Sequence, residues 1–377
     1  LGNRYTQTIY RIAPSIQGAV AGTPYSYSLR DEVAKINSGA ASGTLGGTTS
    51  AGDATTNALI GRFTRAPTPI GWELLYSDNT TRFASGQSSI TQEIGRGRIL
   101  WQVDPILQLF AIGGYENTQS AQVDRGGPVY GAGGSWRPTP RTSLNATWEH
   151  RFFGPAHTIA FNHRWPGFAI AAASSRDITT FPQLVAQFPG AGNVEALLNA
   201  QYLTRVPDAQ ARQQAVEALI RAYNLPTNVG GPLNFISQDL LLRNAQNLTF
   251  TLIGTRNALA AGLFYTRTEP LNAAASTVPS AFGLLSANSQ RGFTLTFSQR
   301  LTPIVDANLV LSRIRSESLN TLIGGSSQDT LNLTVTQKLS AKTSGFVGAR
   351  YQRFHSNISA LADYNETGAF VGIDHRF

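Results

Sequence analysis

The chain has 377 residues, with 30 lysines and arginines, 22 aspartates and glutamates, and no cysteine. The lack of cysteine excludes disulfides, thiolate metal sites and thiol catalysis, and a mean hydropathy of -0.13 without a long apolar run excludes transmembrane helices. The formal charge of +8 would suggest nucleic acid as a partner of a soluble protein. The arginines are dispersed without a basic run, however, so we expect no nucleic-acid partner.

The first third of the chain predicts six strands, because apolar and polar residues alternate with the period of two that a pleated strand imposes. They cover 5–16, 25–35, 55–65, 71–82, 91–103 and 106–117. Turns at 66–69 and 104–105 contain proline, which lacks the N–H that a sheet ladder needs. A long loop rich in Gly, Ser, Thr and Ala, at 37–54, joins the second strand to the third. Short turns therefore alternate with long loops.

Residues 128–166 show the alternation most clearly. Leu144, Ala146 and Trp148 form an apolar face, and the residues between them are Asn145 and Thr147. A strand before this one and a strand after it have the same pattern, and almost no residues separate the three. We therefore expect three consecutive antiparallel strands joined by tight turns.

A strand at 168–177 leads into the longest insertion, 178–246. Within it, Val194–Leu203 and Asp208–Asn224 are rich in Ala, Leu, Gln and Glu, and apolar residues recur at helical spacing. We expect a helical, extracellular loop insertion. Such a loop folds inward as a constriction, covers the mouth, binds a partner, or lies on the surface without a role.

The strand pattern returns at residue 247 and continues to the C-terminus, with the last strands near 305–317, 328–339, 345–356 and 364–377. Roughly seventeen strands result, whereas single-chain bacterial barrels have an even number. We expect one barrel over 1–377 with about 16 to 22 strands, the C-terminal part of a longer barrel if its C-terminus is periplasmic.

The composition of the two strand faces separates a membrane barrel from a soluble sandwich. Charged residues make up only 14% of the chain, and Thr, Ser, Asn, Gln and Gly fill the polar face. Trp136, Trp148 and Trp165 lie at strand ends on the apolar face, as in the aromatic girdles of membrane barrels. The sequence therefore predicts an all-β, transmembrane antiparallel β-barrel in the bacterial outer membrane, surrounded by lipid.

Eight charged residues fall on the polar side of their strands and are candidates for the pore lining, because an arginine facing lipid near the midplane would cost roughly 2 to 4 kcal/mol. They are Arg96, Arg98, Glu149, Arg151, Arg164, Arg300, Lys338 and Arg350. Several, such as Arg164, Arg300 and Lys338, precede short turns, which predicts a basic ring near the periplasmic mouth. If they are unpaired, they favour anions; if they pair with acidic neighbours on adjacent strands, they leave no net field.

The sequence offers little for catalysis or metal binding. Its histidines, His150, His157, His163, His355 and His375, have no metal-ligand spacing, and no G-x-S-x-G or H-E-x-x-H motif occurs. We expect no enzyme activity, no metal and no cofactor. The alternative is a hydrolase built from a few polar residues of the barrel wall, which needs no such motif.

The segment WRPTPRTSLNATWEHRFFG at 136–154 resembles the outer-membrane barrel proteins associated with the PEP-CTERM/exosortase system and encoded with exopolysaccharide loci. The chain also resembles this family at residues 8–18, 207–220 and 299–312, so the resemblance covers the whole chain. It implies additional strands before residue 1 and association with export of extracellular polysaccharide. These motifs are turn and strand patterns, and the resemblance supplies no catalytic residues.

Two functions remain open at this point. The barrel is a conduit for an acidic polysaccharide or anionic solutes, or it is a non-transporting anchor that organises an envelope or cell-surface complex with secretion proteins. The small, hydrophilic inward face favours the conduit. The terminal Phe377, on an alternating strand, is typical of the signal that the barrel insertion machinery recognises.

Overall fold

The computed structural model describes residues 7–38, 53–84, 89–120, 123–186, 193–203, 205–229, 237, 239–271, 287–319, 324–340, 342–357 and 362–375. Over these residues the chain is all-β apart from three helices, and its strands form one antiparallel sheet. The prediction of an all-β antiparallel fold is therefore confirmed.

The first nine strands of the described residues are β1 (Gln7–Ile12), β2 (Ser15–Ala19), β3 (Tyr25–Ser38), β4 (Ala54–Arg65), β5 (Ile70–Phe83), β6 (Ile90–Asp104), β7 (Leu107–Gln119), β8 (Asp124–Thr139) and β9 (Thr142–Arg151). The other nine are β10 (Gly154–Trp165), β11 (Phe168–Thr180), β12 (Leu240–Ile253), β13 (Asn257–Pro270), β14 (Asn288–Thr302), β15 (Val305–Ser318), β16 (Gly325–Lys338), β17 (Thr343–Ser356) and β18 (Tyr364–His375).

The first two strands are one strand interrupted by a proline. Both β1 and β2 pair with β3, one after the other along its length. Pro14 lies between them and cannot donate to the ladder, although its carbonyl accepts from the backbone N–H of Asp31 at 3.1 Å. The 18 strands of the sheet therefore amount to the seventeen passes that the alternation predicts.

The insertion between β11 and β12 holds the helices α1 (Phe181–Ala186), α2 (Val194–Tyr202) and α3 (Ala209–Tyr223). Side-chain oxygens of Asn193 and Asp208 accept the backbone N–H groups of Ala196 and Ala211, which caps α2 and α3. The helices predicted at 194–203 and 208–224 are thus confirmed. The strands continue to residue 180 and resume at 240, so the insertion is shorter than the predicted 178–246. No described helix has the length and apolar character to span a bilayer.

Each strand from β3 to β17 pairs with the strands before and after it in the chain. Among the described residues, β18 pairs with β17, and β1 and β2 pair with β3, so the sheet has two edges. A closed ladder, which the barrel prediction requires, is not formed over the described residues. The odd number of passes is consistent with this, since antiparallel closure needs an even number.

The sheet nevertheless curls strongly onto its polar face. The long-loop ends of β11 and β12 are buried on both sides: Leu241 packs with Ile36 of β3, and Leu240 packs with Phe83 and Ile90. The hydroxyls of Thr81 in β5 and Thr180 in β11 lie 3.3 Å apart. The apolar cores therefore lie inside the curl, and strands distant in the sheet order meet there.

The outer face of the sheet is apolar and exposed. Leu263 is 55% exposed and Val371 is 83% exposed, and Ile99 and Leu74 are similar. Direct partners in an antiparallel ladder share a face, and Leu263 lies opposite Phe293. The period-two pattern thus places an apolar surface on the outside, and ion pairs such as Arg313–Asp329 lie on the same face toward the long-loop ends of the strands.

Candidate functional site

The ladder register places all eight candidate charged residues on the inner, polar face. Arg98 lies opposite Ile112, Glu149 opposite Ala156, and Arg300 opposite Asp306. The same alternation puts the remaining candidates on this face: Arg96, Arg151, Arg164, Lys338 and Arg350. The placement agrees with the sequence analysis; that these side chains line a pore stays a prediction.

Most of these cations have carboxylate partners on other strands. The pairs are Arg96–Glu149 (2.9 Å), Arg98–Glu73 (3.1 Å), Arg300–Asp306 (3.5 Å) and Arg350–Glu366. Glu149 is thus one of several carboxylates on this face. The alternative, in which acidic residues neutralise the arginines, holds for these pairs. Partners such as Glu73 and Asp306 are on separate strands, which only the register brings together.

The tightest network surrounds Arg151, which is 7% exposed. Its Nε donates to Glu116 Oε2 at 2.8 Å, and its Nη1 pairs with Asp177. The other Glu116 oxygen accepts the backbone N–H of Phe152 at 3.0 Å, and Asp177 Oδ1 accepts the N–H of Ile178 at 2.7 Å. Each carboxylate oxygen named here already has a donor. The network therefore fixes β7, β9 and β11 to one another across the inner face.

Substituting Glu116→Gln should destabilise the protein by about 3 kcal/mol, because removing one partner of a buried ion pair leaves an uncompensated charge. The matched control is Glu366→Gln, whose partner Arg350 is about half exposed; this change should cost less than about 1 kcal/mol. Denaturant unfolding in detergent, followed by tryptophan fluorescence, measures both. Equal losses for the two variants would show that burial of the network does not matter.

Two of the predicted mouth residues have other contacts. Arg164 donates to the carbonyl oxygens of Ala200 at 2.7 Å and Pro140 at 2.8 Å, and the Arg300 guanidinium lies 5.6 Å from the ring centre of Tyr223. Arg164, Arg300 and Lys338 do adjoin short turns. They form no open ring of free cations, since two of them hold the helical insertion.

The helices α2 and α3 pack on the inner face near the short turns. Val216 and Val229 form a buried cluster with Ala258 and Ala260 of β13, and the Ser298 hydroxyl donates to the carbonyl of Tyr223. At Gly262 an added Cβ would lie 2.5 Å from the Val229 carbonyl oxygen, so glycine permits this approach. The insertion therefore folds inward against the wall.

A polar cavity of about 370 Å³ lies beneath α1, between β5–β7 and β9–β12. The Gln183 side chain of α1 donates to Gln92 Oε1 at 3.0 Å and so holds the helix over the cavity. Arg96, Arg151 and Arg243 contribute to the lining. Arg243 was not singled out from the sequence because it fell inside the assigned insertion; its alternation with Ala245 and the following polar residues would have extended β12 to it.

The five histidines are dispersed over the strands. His157 contacts Ser174, His163 contacts Thr142, and His355 pairs with Asp363. Among the described residues no three His, Asp or Glu side chains are grouped so that they could hold a metal ion. The described geometry offers polar binding and charge contacts.

No protein-family profile matches the chain, and no curated protein matches it. Among solved structures, it is similar to OccK5 (OpdH) of Pseudomonas aeruginosa, with 11% identity, coverage of 99% of this chain and 97% of the other, and a TM-score of 0.30. It is also similar to OccAB2 of Acinetobacter baumannii (11%, 93% and 92%, TM-score 0.29) and to the copper transporter OprC (9%, 99% and 72%, TM-score 0.34). At these identities and TM-scores, the likeness assigns neither a family nor a substrate to this chain.

Proposed function

We propose that this chain is an outer-membrane pore whose strands present an apolar face to lipid and a polar face to a water-filled passage. The observation that carries the proposal is the division of one curled sheet into an exposed apolar outside and a charged, hydrophilic inside. In water, so large an exposed apolar surface would be costly, since monomeric soluble proteins rarely expose patches above a few hundred Å². In a bilayer the same surface is stabilising.

The strand lengths and the aromatic residues support this placement. Strands β3 to β18 have 10 to 16 residues, and a tilted strand needs about 9 to 11 to cross the hydrocarbon core. Trp101, Trp136 and Trp165 lie near short turns and are exposed on the outer face. They would form the aromatic girdle at that interface.

The passage would follow the inner faces of β14 to β17. The side chains there are small and hydrophilic, as at Thr294, Ser312, Asn332 and Gln352, and they remain partly accessible. These four side chains have no described contact with the helices. The helices α2 and α3 lie against the wall from β10 to β13, and the end of α3 reaches Ser298 of β14 and Asn308 of β15 near the short turns. A hydrated solute or polymer would therefore pass beside the helices.

The resemblance to the exopolysaccharide-associated barrels suggests extracellular polysaccharide as the cargo, and an acidic polysaccharide or anionic solutes remain our proposal. The paired arginines weaken the field that this preference needs, so any anion selectivity would come from the remaining excess of positive charge. Export partners and recognition by the insertion machinery also stay predictions, because Phe377 lies outside the described residues.

The alternative function is a non-transporting anchor for an envelope complex. The observation in its favour is that α1, α2, α3 and the Arg151 network occupy much of the inner face. A barrel filled by its own insertion would carry no current. The two functions thus differ in whether an open path remains.

Single-channel recording in planar bilayers tests the proposal. We expect stable open levels and, in a salt gradient, a reversal potential that shifts toward cations when Arg96, Arg98 and Arg300 are all replaced by Gln, because their carboxylate partners lose their counter-charges. A protein that inserts but remains silent would favour the anchor. An unchanged reversal potential would show that these arginines do not face the ion path.

A further inference from the structure

One guanidinium in the lining of the cavity beneath α1 has no partner. Arg243 is half-buried there and has no ion pair or hydrogen bond among the described residues. Asp177 lies directly opposite Arg243 in the ladder, but it pairs with Arg151. A guanidinium that lines a polar cavity without a protein acceptor is available to an anionic ligand.

The rest of the lining has the chemistry of a hydroxyl-binding surface. Ser77, Asn79, Thr158 and Ser175 present hydroxyl and amide groups to the cavity, and Ile94 gives it an apolar patch. The volume of about 370 Å³ falls within the roughly 300–1,000 Å³ of small-molecule sites. A monosaccharide, which alternates hydroxyls with C–H groups, matches such a surface.

The arginines and carboxylates of this network are equal in number, and it is the pairing among them that leaves a place for an anion. The carboxylates Glu116 and Asp177 are held by Arg151 and by backbone N–H groups, and Glu149 is held by Arg96. Arg243 therefore remains as the uncommitted charge. A guanidinium prefers a carboxylate because its paired N–H groups match the two oxygens.

We propose that this cavity is a binding site for a sugar acid, with Arg243 accepting the carboxylate and the surrounding hydroxyls and amides binding the sugar ring. The site deepens the proposed function, since it gives a conduit for acidic polysaccharide a place to recognise one uronic-acid unit. The helix α1 closes the cavity on one side through Gln183 and Gln92. A free sugar acid and a residue of a polymer present the same carboxylate and hydroxyls.

Isothermal titration calorimetry on the detergent-solubilised full chain tests the site with D-galacturonate, D-galactose and D-galactosamine. We expect galacturonate to bind and the neutral and cationic sugars to bind far more weakly. Arg243→Gln should reduce galacturonate affinity at least about tenfold, the scale of one lost charge-assisted hydrogen bond. The control Arg313→Gln removes an arginine that is ion-paired with Asp329 on the outer face and should leave the affinity unchanged.

Equal binding of galactose and galacturonate, no binding of galacturonate, or an unchanged affinity in Arg243→Gln would overturn the site. A galacturonate trimer distinguishes the ligand sources: binding at least as tight as the monosaccharide supports a polymer unit, and binding of the monosaccharide alone supports a free solute. The assay needs no open pore, so a silent protein that binds galacturonate would refute the conduit and leave the site intact.

Discussion

Deleting residues 193–229 and joining the ends with a short Gly/Ser linker should raise the single-channel conductance several-fold. The deleted segment contains α2 and α3, which cover the inner wall near the short turns. Their buried contacts with Ala258 and Ala260 and the hydrogen bond from Ser298 show that they are docked on this wall. Removing them uncovers the inner wall on which they are docked and so widens the path beside it.

A single substitution tests the same idea with less disturbance. Val216 is fully buried against the wall, and Val216→Asp would place an unpaired charge there at a cost of several kcal/mol. We expect this variant to release the helices and to show frequent transitions to the larger conductance. Gln214→Asp adds the same charge on the exposed side of α3 and should behave like the wild type.

Circular dichroism and heat-dependent gel mobility provide the folding control. The deletion variant and Val216→Asp should both keep the strand content of the wild type. If the deletion variant folds and conducts no better than the wild type, the helices do not narrow the path. If wild type and variants are all silent, the passage is closed elsewhere and the anchor function gains support.

The strands could be predicted from the sequence because each one carries its own signal. Alternation along Leu144, Ala146 and Trp148 depends only on the period of two, and one face must meet an apolar environment. The prolines at the turns mark where each strand ends. Counting seventeen passes needed no tertiary information, and even the break at Pro14 leaves the count unchanged.

The contacts inside the curl could not be predicted in the same way. Arg96 in β6 meets Glu149 in β9, and Arg151 meets Glu116 and Asp177; these partners lie 26 to 53 positions apart in the chain. Face assignment gives the side of the sheet but not the curvature that brings distant strands together. The predicted basic ring at the mouth therefore overestimates the free positive charge, because the prediction left out the carboxylates on the same polar face.

The surface on which the helices dock could likewise not be predicted from the sequence. Helical spacing in 208–224 predicts an apolar stripe, and Val216 belongs to it, but the stripe does not identify its partner. The partner is the small-residue surface formed by Ala258, Ala260 and Gly262. Small residues on a strand look like a polar, pore-lining face, and only the structure distinguishes a docking surface from an open wall.

Placing an arginine on the outer face should have the second largest effect, and Leu263→Arg is the sharpest choice. Leu263 is 55% exposed on the apolar face and lies opposite Leu248 and Phe293 in the middle of its strand. If that face contacts lipid, the substitution should cost about 2 to 4 kcal/mol, the range for arginine at the bilayer midplane. Folding into lipid vesicles, titrated with urea, measures the change.

Two matched variants separate lipid contact from simple steric damage. Thr294 lies opposite Gly262, the residue next to Leu263, so Thr294→Arg tests the same depth on the opposite, inner face; we expect a loss below about 1 kcal/mol, since the charge remains hydrated in the lumen. Leu301 is also exposed on the outer face but adjoins the short turn, and Leu301→Arg should cost only about 0 to 1 kcal/mol because the penalty decreases toward the interface.

A loss for Thr294→Arg as large as that for Leu263→Arg would reverse the assignment of the two faces. Equal losses at Leu263 and Leu301 would mean that the apolar surface meets another protein surface instead of a bilayer, because only a bilayer makes the penalty depend on depth.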